Sequence, residues 1–110
     1  MPGAEMTGVE IDGLYDGDTA PLELTFKQAG VPVDVTGYGF KLKIGYATGT
    51  VTKNAAIVTP QASNLGKFRF PFAAGDLKAG NWPAQFVITY PDTTEKTQPI
   101  VDGLTINKRL

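Results

Sequence analysis

The side chains best suited to metal binding in this sequence are three aspartates, Asp12, Asp16 and Asp18, which lie within seven residues of one another. Carboxylate oxygens are the ligands that Ca²⁺ prefers. Their spacing does not match the EF-hand loop, and the glutamate that closes that loop is missing. A polar turn between two strands is the simpler interpretation, so we expect no metal site here.

Acid–base and nucleophilic chemistry have few candidates. Glu10 and Glu23 are the other candidate carboxylates for acid–base chemistry, and Ser63 is the only serine. A glycosidase needs two carboxyl groups facing each other across a cleft, whereas Glu23 occupies an outward position of an alternating strand. The sequence has no histidine and no cysteine, which removes histidine-assisted nucleophiles and thiolate zinc sites. We predict a protein that is not an enzyme and has no catalytic residue or cofactor.

Size and charge narrow the possible partners. A chain of 110 residues is the usual length of one domain. Its 10 basic and 11 acidic residues give a net charge of −1 without a basic block, so a nucleic-acid surface is not expected. No apolar run approaches ~18 residues, and the first residues lack a signal-peptide pattern. We therefore expect no nucleic-acid partner and no membrane partner.

Alternation of apolar and polar residues at every second position is the dominant pattern. Such a period places all the large apolar side chains of a strand on one face. The strong series cover residues 22–27, 40–46, 67–72 and 82–90, and weaker ones lie around Val9 and Ile11, at 50–58 and at 100–106. About seven strands separated by glycine, proline and aspartate turns predict an all-β, immunoglobulin-like antiparallel β-sandwich.

The alternating series also identify a core. Phe40, Phe70, Trp82 and Phe86 occupy uninterrupted apolar positions, so we predict that all four are core residues. Pro83 lies inside the last strong series and cannot donate a ladder hydrogen bond. It predicts a sheet edge or a bulge at that point.

Two tyrosines are the better candidates for exposed contacts. Tyr15 and Tyr38 lie beside glycines or in turn regions, outside the apolar series, and could contact a sugar or a peptide. This favours a carbohydrate-binding or adhesion module as the alternative to an assembly protein. Outward basic residues are expected to form a mildly basic face that keeps the sheet soluble: Lys41, Lys43, Lys67 and Arg69.

The chain ends are expected to differ from the body of the domain. Residues 1–7 contain Pro2 and Gly3 and show no strand pattern, which predicts a flexible N-terminal arm. Residues 8–110 are predicted to form a single sandwich domain. Lys108 and Arg109 follow the last strand, and their two positive charges could reach an acidic neighbour.

Several turn-and-strand motifs occur in an order that resembles a known family. They are Gly-Asp-Thr at 17–19, the strand at 21–26, Gly-Val-Pro-Val-Asp-Val-Thr-Gly at 30–37, the strand at 40–44, and residues 76–86 with Gly80, Trp82, Ala84 and Phe86. This order is similar to the N-terminal immunoglobulin-like domain of phage baseplate upper proteins. The likeness covers roughly residues 16–106.

The resemblance implies a structural protein of a tailed-phage virion, assembled in the host cytoplasm and binding other virion proteins. In the family this domain docks onto the baseplate core, and a long C-terminal extension carries the receptor-binding proteins. That extension is not part of this sequence, so the expected role is a tail or baseplate accessory or adaptor. Capsid decoration is the alternative. A homo-oligomer on the particle is expected, because family members act in symmetric assemblies.

Overall fold

The computed structural model describes residues 14–100 and 102–110. They form eleven β-strands and one 3₁₀ helix. Within these ranges, no helix has the length and apolar character needed to cross a bilayer. The elements are β1 (Leu22–Thr25), β2 (Lys27–Gln28), β3 (Val31–Pro32), β4 (Gly39–Tyr46), β5 (Gly49–Asn54), β6 (Ala56–Ile57), the 3₁₀ helix (Gln61–Ser63), β7 (Lys67–Phe70), β8 (Gly80–Trp82), β9 (Ala84–Thr89), β10 (Glu95–Pro99) and β11 (Leu104–Ile106).

Two antiparallel sheets form the sandwich. One has the strand order β10-β9-β4-β5 and the other has the order β1-β7-β6. These orders correspond to strands G-F-C-C′ and B-E-D of an immunoglobulin domain. Two short antiparallel pairs, β8 with β11 and β2 with β3, complete the fold. The predicted all-β sandwich is therefore confirmed.

The core lies between the inner faces of the two sheets. Phe40 of β4 stacks on Phe68 of β7 with ring centroids 3.9 Å apart, and Phe70 of β7 stacks on Phe86 of β9 at 5.9 Å. All four rings are buried. Aromatic pairs of this kind add to the stability that burial of their area supplies. The alternation read from the sequence thus put the right side chains of these strands inward.

The number of strands is eleven rather than about seven, for identifiable reasons. Residues 50–58 divide into β5 and β6 because the chain passes from one sheet to the other at Ala55. Residues 82–90 divide at Pro83, which has no N–H for the ladder. The β2–β3 hairpin and β10 carry too few inward apolar residues to show an alternating pattern. The strand expected around Val9 and Ile11, and the arm at 1–7, lie outside the described residues.

The prediction that Trp82 is a core residue was wrong. It is only half-buried and packs at the margin of the core, with its ring edge-on to Tyr46 at 5.0 Å. Its indole N–H donates a hydrogen bond to the carbonyl oxygen of Lys78, 2.8 Å away. An indole that must satisfy its N–H is stable at such a margin, with one apolar side and one polar side.

Candidate functional site

A groove of about 750 Å³ lies on the outer face of the four-stranded sheet. Its volume falls in the range of sites that hold ligands. We call it the sheet-face groove. It is lined by outward residues of β4, β5 and β9, by the end of β10 and by the segments next to them: Lys43, Gly45, Thr50, Thr52, Pro83, Ala84, Gln85, Pro99, Ile100 and Gly103.

Three local features open the groove. Gly45 has no side chain on the outer face of β4, and Pro83 packs so close to it that an added Cβ would lie 3.2 Å from Cγ of Pro83. Pro83 separates β8 from β9, and its carbonyl oxygen accepts the N–H of Gly45 at 2.8 Å. Opposite Pro83, the chain between β10 and β11 bulges, because Pro99 pairs with Gln85 whereas Leu104 pairs with Trp82. The bulge and the absence of a side chain at Gly45 place Gly45, Pro83, Ala84 and Gly103 among the residues that line the groove.

The groove combines polar and apolar surface, the larger share apolar, and carries one cation, Lys43. Strand register aligns Pro99, Gln85, Lys43 and Thr52 in one row across the four strands. Thr50 lies beside Thr52 along β5. The row combines an ammonium, an amide and hydroxyl groups with the flat surfaces of glycine and proline. Such a surface can hydrogen-bond to an extended ligand, but it offers no ring for stacking.

A second cluster joins the two ends of the described chain. Asp16 Oδ1 accepts the backbone N–H of Arg109 at 2.6 Å, and the Arg109 guanidinium donates to Asp18 Oδ1 at 2.7 Å. Tyr15 forms a parallel bridge with Asn107. Three of the four expected contact residues, Tyr15, Lys108 and Arg109, therefore lie at one end of the molecule.

The two aspartates of this cluster were the candidate calcium ligands. Both Asp16 and Asp18 bind Arg109 instead, and Asp12 lies outside the described residues. Among residues 14–100 and 102–110 there is no group of three His, Cys, Asp or Glu side chains placed to hold a metal ion. The cluster closes the domain by tying residues 15–18 to the C-terminal segment.

Tyr38, the fourth expected contact residue, has a different environment. It is half-buried and packs against the core. Its ring contacts Phe26 and Tyr90, each with centroids 5.6 Å away. Tyr15, in contrast, is 43% exposed. A glycine neighbour therefore did not indicate exposure for Tyr38, because β4 continues directly from it into the core.

The expected basic face is divided between two sheets. Lys41 and Lys43 lie on β4, on the outer face of the four-stranded sheet, whereas Lys67 and Arg69 lie on β7 in the three-stranded sheet. The outer faces of a sandwich point in opposite directions, so these residues form no common surface. Lys67 and Arg69 instead face Glu23 across the strand pair, with the Arg69–Glu23 bond at 2.7 Å. Glu23 is exposed, as predicted.

Three other aspartates hold loops in place. Hydrogen bonds from the Thr36 side chain and backbone lower the pKa of Asp34, and those from Thr94 lower the pKa of Asp92 in the same way. Asp76 receives hydrogen bonds from the Lys53 ammonium at 2.8 Å and from the Ala73 N–H at 2.6 Å. These bonds, that of Lys53 first, lower the pKa of Asp76. They anchor the loop before β8 to the edge strand β5.

The Asp76–Lys53 bond predicts a pH dependence of stability. A carboxyl whose pKa is lowered by folding stabilises the protein above its unfolded pKa of about 3.9, and this contribution is lost as pH falls through the lower folded value. When the pH falls from about 5 to about 2, the free energy of unfolding is expected to decrease less in Asp76→Asn than in the wild type. The difference should be about 1 kcal/mol or less, because the ion pair is partly exposed. Urea denaturation at several pH values measures the difference.

Comparing the variant with the wild type cancels the contributions of Asp34 and Asp92, which have the same sign. Lys53→Met removes the other partner and is expected to flatten the profile similarly. Identical pH slopes for the wild type and both variants would contradict the assignment.

Comparison with known proteins returned no matching family model, no matching curated relative and no matching solved structure. The resemblance noted in the sequence therefore remains an expectation.

The sheet-face groove itself was not predicted. Lys43 was placed outward by alternation, but Thr50, Thr52 and Gln85 carried no functional signal. Their convergence depends on the strand order β9-β4-β5, and no local pattern of residues encodes which strands become neighbours. The sheet edge or bulge predicted at Pro83 was the one local trace of the groove.

Proposed function

We propose that this protein is a non-enzymatic structural protein of a tailed-phage virion, a tail or baseplate adaptor that docks onto other virion proteins. The observation that carries the proposal is the position of the ordered motifs within the sandwich. Three glycines of these motifs adopt positive φ at the turns that join or precede strands, Gly17, Gly30 and Gly37, and Gly80 does so at the first residue of β8. Glycine is favoured in that conformation, so these motif positions meet backbone requirements of the sandwich, and the docking role is what the resemblance of the motifs implies.

The distribution of charged groups supports a binding role. Asp18 and Asp76 are bound by cationic side chains, Asp16 accepts the backbone N–H of Arg109, and Asp34 and Asp92 are hydrogen-bonded within their own loops. Each carboxylate stabilises a turn or a chain end rather than facing a second carboxylate across a cleft. Because these carboxylates are engaged within the domain, binding of a partner would depend on surface shape and on sheet edges.

Presence in the particle is the direct test of this proposal. Phage particles purified by density gradient are expected to contain this chain at a constant copy number relative to the major virion proteins. Quantitative mass spectrometry of the particles measures that number. A host-encoded cytoplasmic protein of similar abundance serves as the contamination control. Absence of the chain from particles, with normal expression in infected cells, would overturn the proposal.

The same particles separate the tail from the capsid alternative. Tail fractions are expected to hold the chain, whereas its recovery with tail-less capsids would favour decoration. Deletion of residues 1–7 is expected to leave folding intact and reduce incorporation, since these residues are predicted to form an arm separate from the sandwich. Full incorporation of the deletion variant would place the contacts on the sandwich itself.

The glycan-binding alternative has lost one of its two supports. Tyr38 packs into an aromatic cluster, which leaves Tyr15 as the only clearly exposed aromatic side chain among residues 14–100 and 102–110. Small-ligand sites usually combine apolar and aromatic walls with a few polar groups. The sheet-face groove has no aromatic wall, so protein docking is the better-supported use of it.

A further inference from the structure

Strand β5 is an open sheet edge beside the sheet-face groove. Among the described residues, β4 is the only strand that pairs with it. Its first residues include Thr50, Val51 and Thr52, a run of β-branched side chains that favours strand pairing. Its one charged residue, Lys53, is bound to Asp76. Natural proteins usually protect such an edge with charge or proline. β5 has no proline, and its single charge is engaged by Asp76.

The opposite edge of the same sheet is protected. Strand β10 contains Glu95, Lys96 and Pro99, and nearly all its residues are exposed. Alternating charges and proline discourage the addition of another strand. The two edges of one sheet therefore differ in their capacity to bind a strand, and β5 is the receptive one.

Hydrogen-bond directions identify which groups β5 offers. In an antiparallel ladder, residue pairs alternate between those that exchange hydrogen bonds and those that do not. The N–H of Ala55 donates to Phe40, and the N–H of Gly45 points away from β5 to Pro83. Ala55 and Phe40 are therefore a hydrogen-bonded pair, and every second pair from them is too. The backbone N–H and C=O groups of the intervening residues, Thr50, Thr52 and Asn54, point away from β4. Three N–H and three C=O groups are thus directed at the open side.

Two cations lie next to this edge. The structure has four half-buried lysines: Lys41, Lys43, Lys53 and Lys67. Lys53 and Lys67 each have a carboxylate within 4.0 Å, whereas no described carboxylate lies within that distance of Lys41 or Lys43. Both unpaired lysines are on β4, directly beside β5 in the strand order, and lie opposite Asn54 and Thr52.

Negative charge on this face lies on its far side. Glu95 is on β10, three strands from β5, and accepts a hydrogen bond from Thr89. Asp102 lies in the bulge that follows β10. The positive charge is therefore concentrated at the β5 side of the sheet-face groove, where an added strand would place its outward side chains.

We propose that β5 and the adjoining sheet-face groove bind an extended acidic segment of a partner protein, which adds to β5 as a fifth strand of the sheet. Its backbone would pair with Thr50, Thr52 and Asn54, and its outward carboxylates would reach Lys41 and Lys43. This mode of recognition takes affinity from the main chain and specificity from alternate side chains. The inference rests on the proposed docking function and specifies its partner.

Other partner classes fit this surface less well. A glycan would gain nothing from the unpaired backbone edge and would find no ring to stack on. A nucleic acid needs many phosphate contacts, and two lysines supply few. A second copy could pair with β5 edge to edge, but its β5 contributes no carboxylate for Lys41 and Lys43. An acidic polypeptide uses both the edge and the charges.

Binding of model peptides to the full chain tests the proposal. The probe is a fluorescent, end-blocked peptide of alternating glutamate and valine, and the matched peptide has lysine in place of glutamate. Fluorescence anisotropy is expected to show saturable binding of the glutamate peptide and at least tenfold weaker binding of the lysine peptide. Backbone amide signals of Thr50, Thr52 and Asn54 should shift on binding, and those of β10 should not.

Variants of the two parts of the site give independent readouts. Thr52→Pro removes an N–H that points away from β4, so the ladder and the melting temperature are expected to persist, while peptide affinity falls at least tenfold. The double variant Lys41→Glu and Lys43→Glu should reverse the preference between the two peptides. Lys96→Glu on β10 makes a matched charge change and should alter affinity less than twofold. If Thr52→Pro fails to fold, the charge reversal alone decides.

Specific outcomes would overturn the inference. They are no binding of the glutamate peptide at millimolar concentration, equal affinity for both peptides, or unchanged affinity in Thr52→Pro or the double variant. Self-association of the wild type that Thr52→Pro abolishes would assign β5 to a second copy instead. If the wild-type chain is present in phage particles and the Thr52→Pro variant is incorporated at the same level, this inference is refuted and the proposed function stands. If the wild-type chain is absent from particles, the proposed function itself is refuted.

Discussion

Phe86→Ala is expected to lower the free energy of unfolding by about 3–5 kcal/mol, the usual cost of truncating a buried phenylalanine. Phe86 lies in the middle of β9 and has no exposed surface. Its ring stacks on Phe70 of the opposite sheet, so alanine leaves a cavity between the sheets. A domain of this size has a total stability of about 5–15 kcal/mol, and the melting temperature should fall by about 10–25 °C.

Urea denaturation of the two proteins measures this difference. Val31→Ala is the matched control, because Val31 is 60% exposed and its truncation should change stability by less than about 0.5 kcal/mol. A Phe86→Ala midpoint equal to that of Val31→Ala would mean that the inner face of β9 has been assigned to the wrong residues.

Gln61→Leu is expected to cost about 2–5 kcal/mol, although leucine is the more apolar residue. Gln61 is the only polar or charged side chain that is buried among the described residues. Its Oε1 accepts the N–H groups of Val35 at 3.1 Å and Gly66 at 3.0 Å, both in buried positions. A buried N–H left without a partner costs about 1–3 kcal/mol.

The amide nitrogen of Gln61 adds to this network. Nε2 donates to the carbonyl oxygens of Val58, Asn64 and Lys67 at 2.7, 3.1 and 3.3 Å. The side chain therefore joins the 3₁₀ helix, the start of β7 and the loop before β4. The backbone packs closely at Gly66, where an added Cβ would lie 2.6 Å from the Phe26 carbonyl oxygen. The backbone is close-packed around this one amide.

Two further variants distinguish the effect of the Gln61 amide from that of its surroundings. Ser63→Ala alters an exposed residue of the same 3₁₀ helix and should have little effect on the unfolding midpoint. Gln61→Glu keeps an acceptor for both N–H groups but sets its second oxygen against carbonyls, which raises the pKa of the new carboxyl. Its stability should therefore recover toward acid pH. A Gln61→Leu variant as stable as the wild type would show that water satisfies these groups.

Rigidity of the two sheets matters for the proposed binding at β5. The core and the Gln61 network hold both sheets in one register, and the Asp76–Lys53 bond holds a loop against β5. An edge strand offers affinity only where its backbone groups are already aligned for pairing, because ordering them on binding costs free energy. Damage to the core should therefore weaken the proposed docking even though Phe86 and Gln61 lie outside the groove.

The sequence by itself determined which side chains face inward along the strong strands. Phe40, Phe70 and Phe86 were identified as core because a period of two residues is a local property of the chain. Breaks at Gly30 and Pro83 were equally readable, since each restricts the backbone at its own position. The all-β class follows from these local patterns together.

The tertiary structure decided what local patterns do not contain. Sheet order separated Lys41 and Lys43 from Lys67 and Arg69, and it left β5 open while β10 closed the other edge with charge. Chain packing turned Tyr38 toward Phe26 and Tyr90, and buried Gln61 where five backbone groups converge. Each of these outcomes depends on contacts between residues that are distant in sequence. Such contacts form only on folding, so the local sequence of either segment does not encode them.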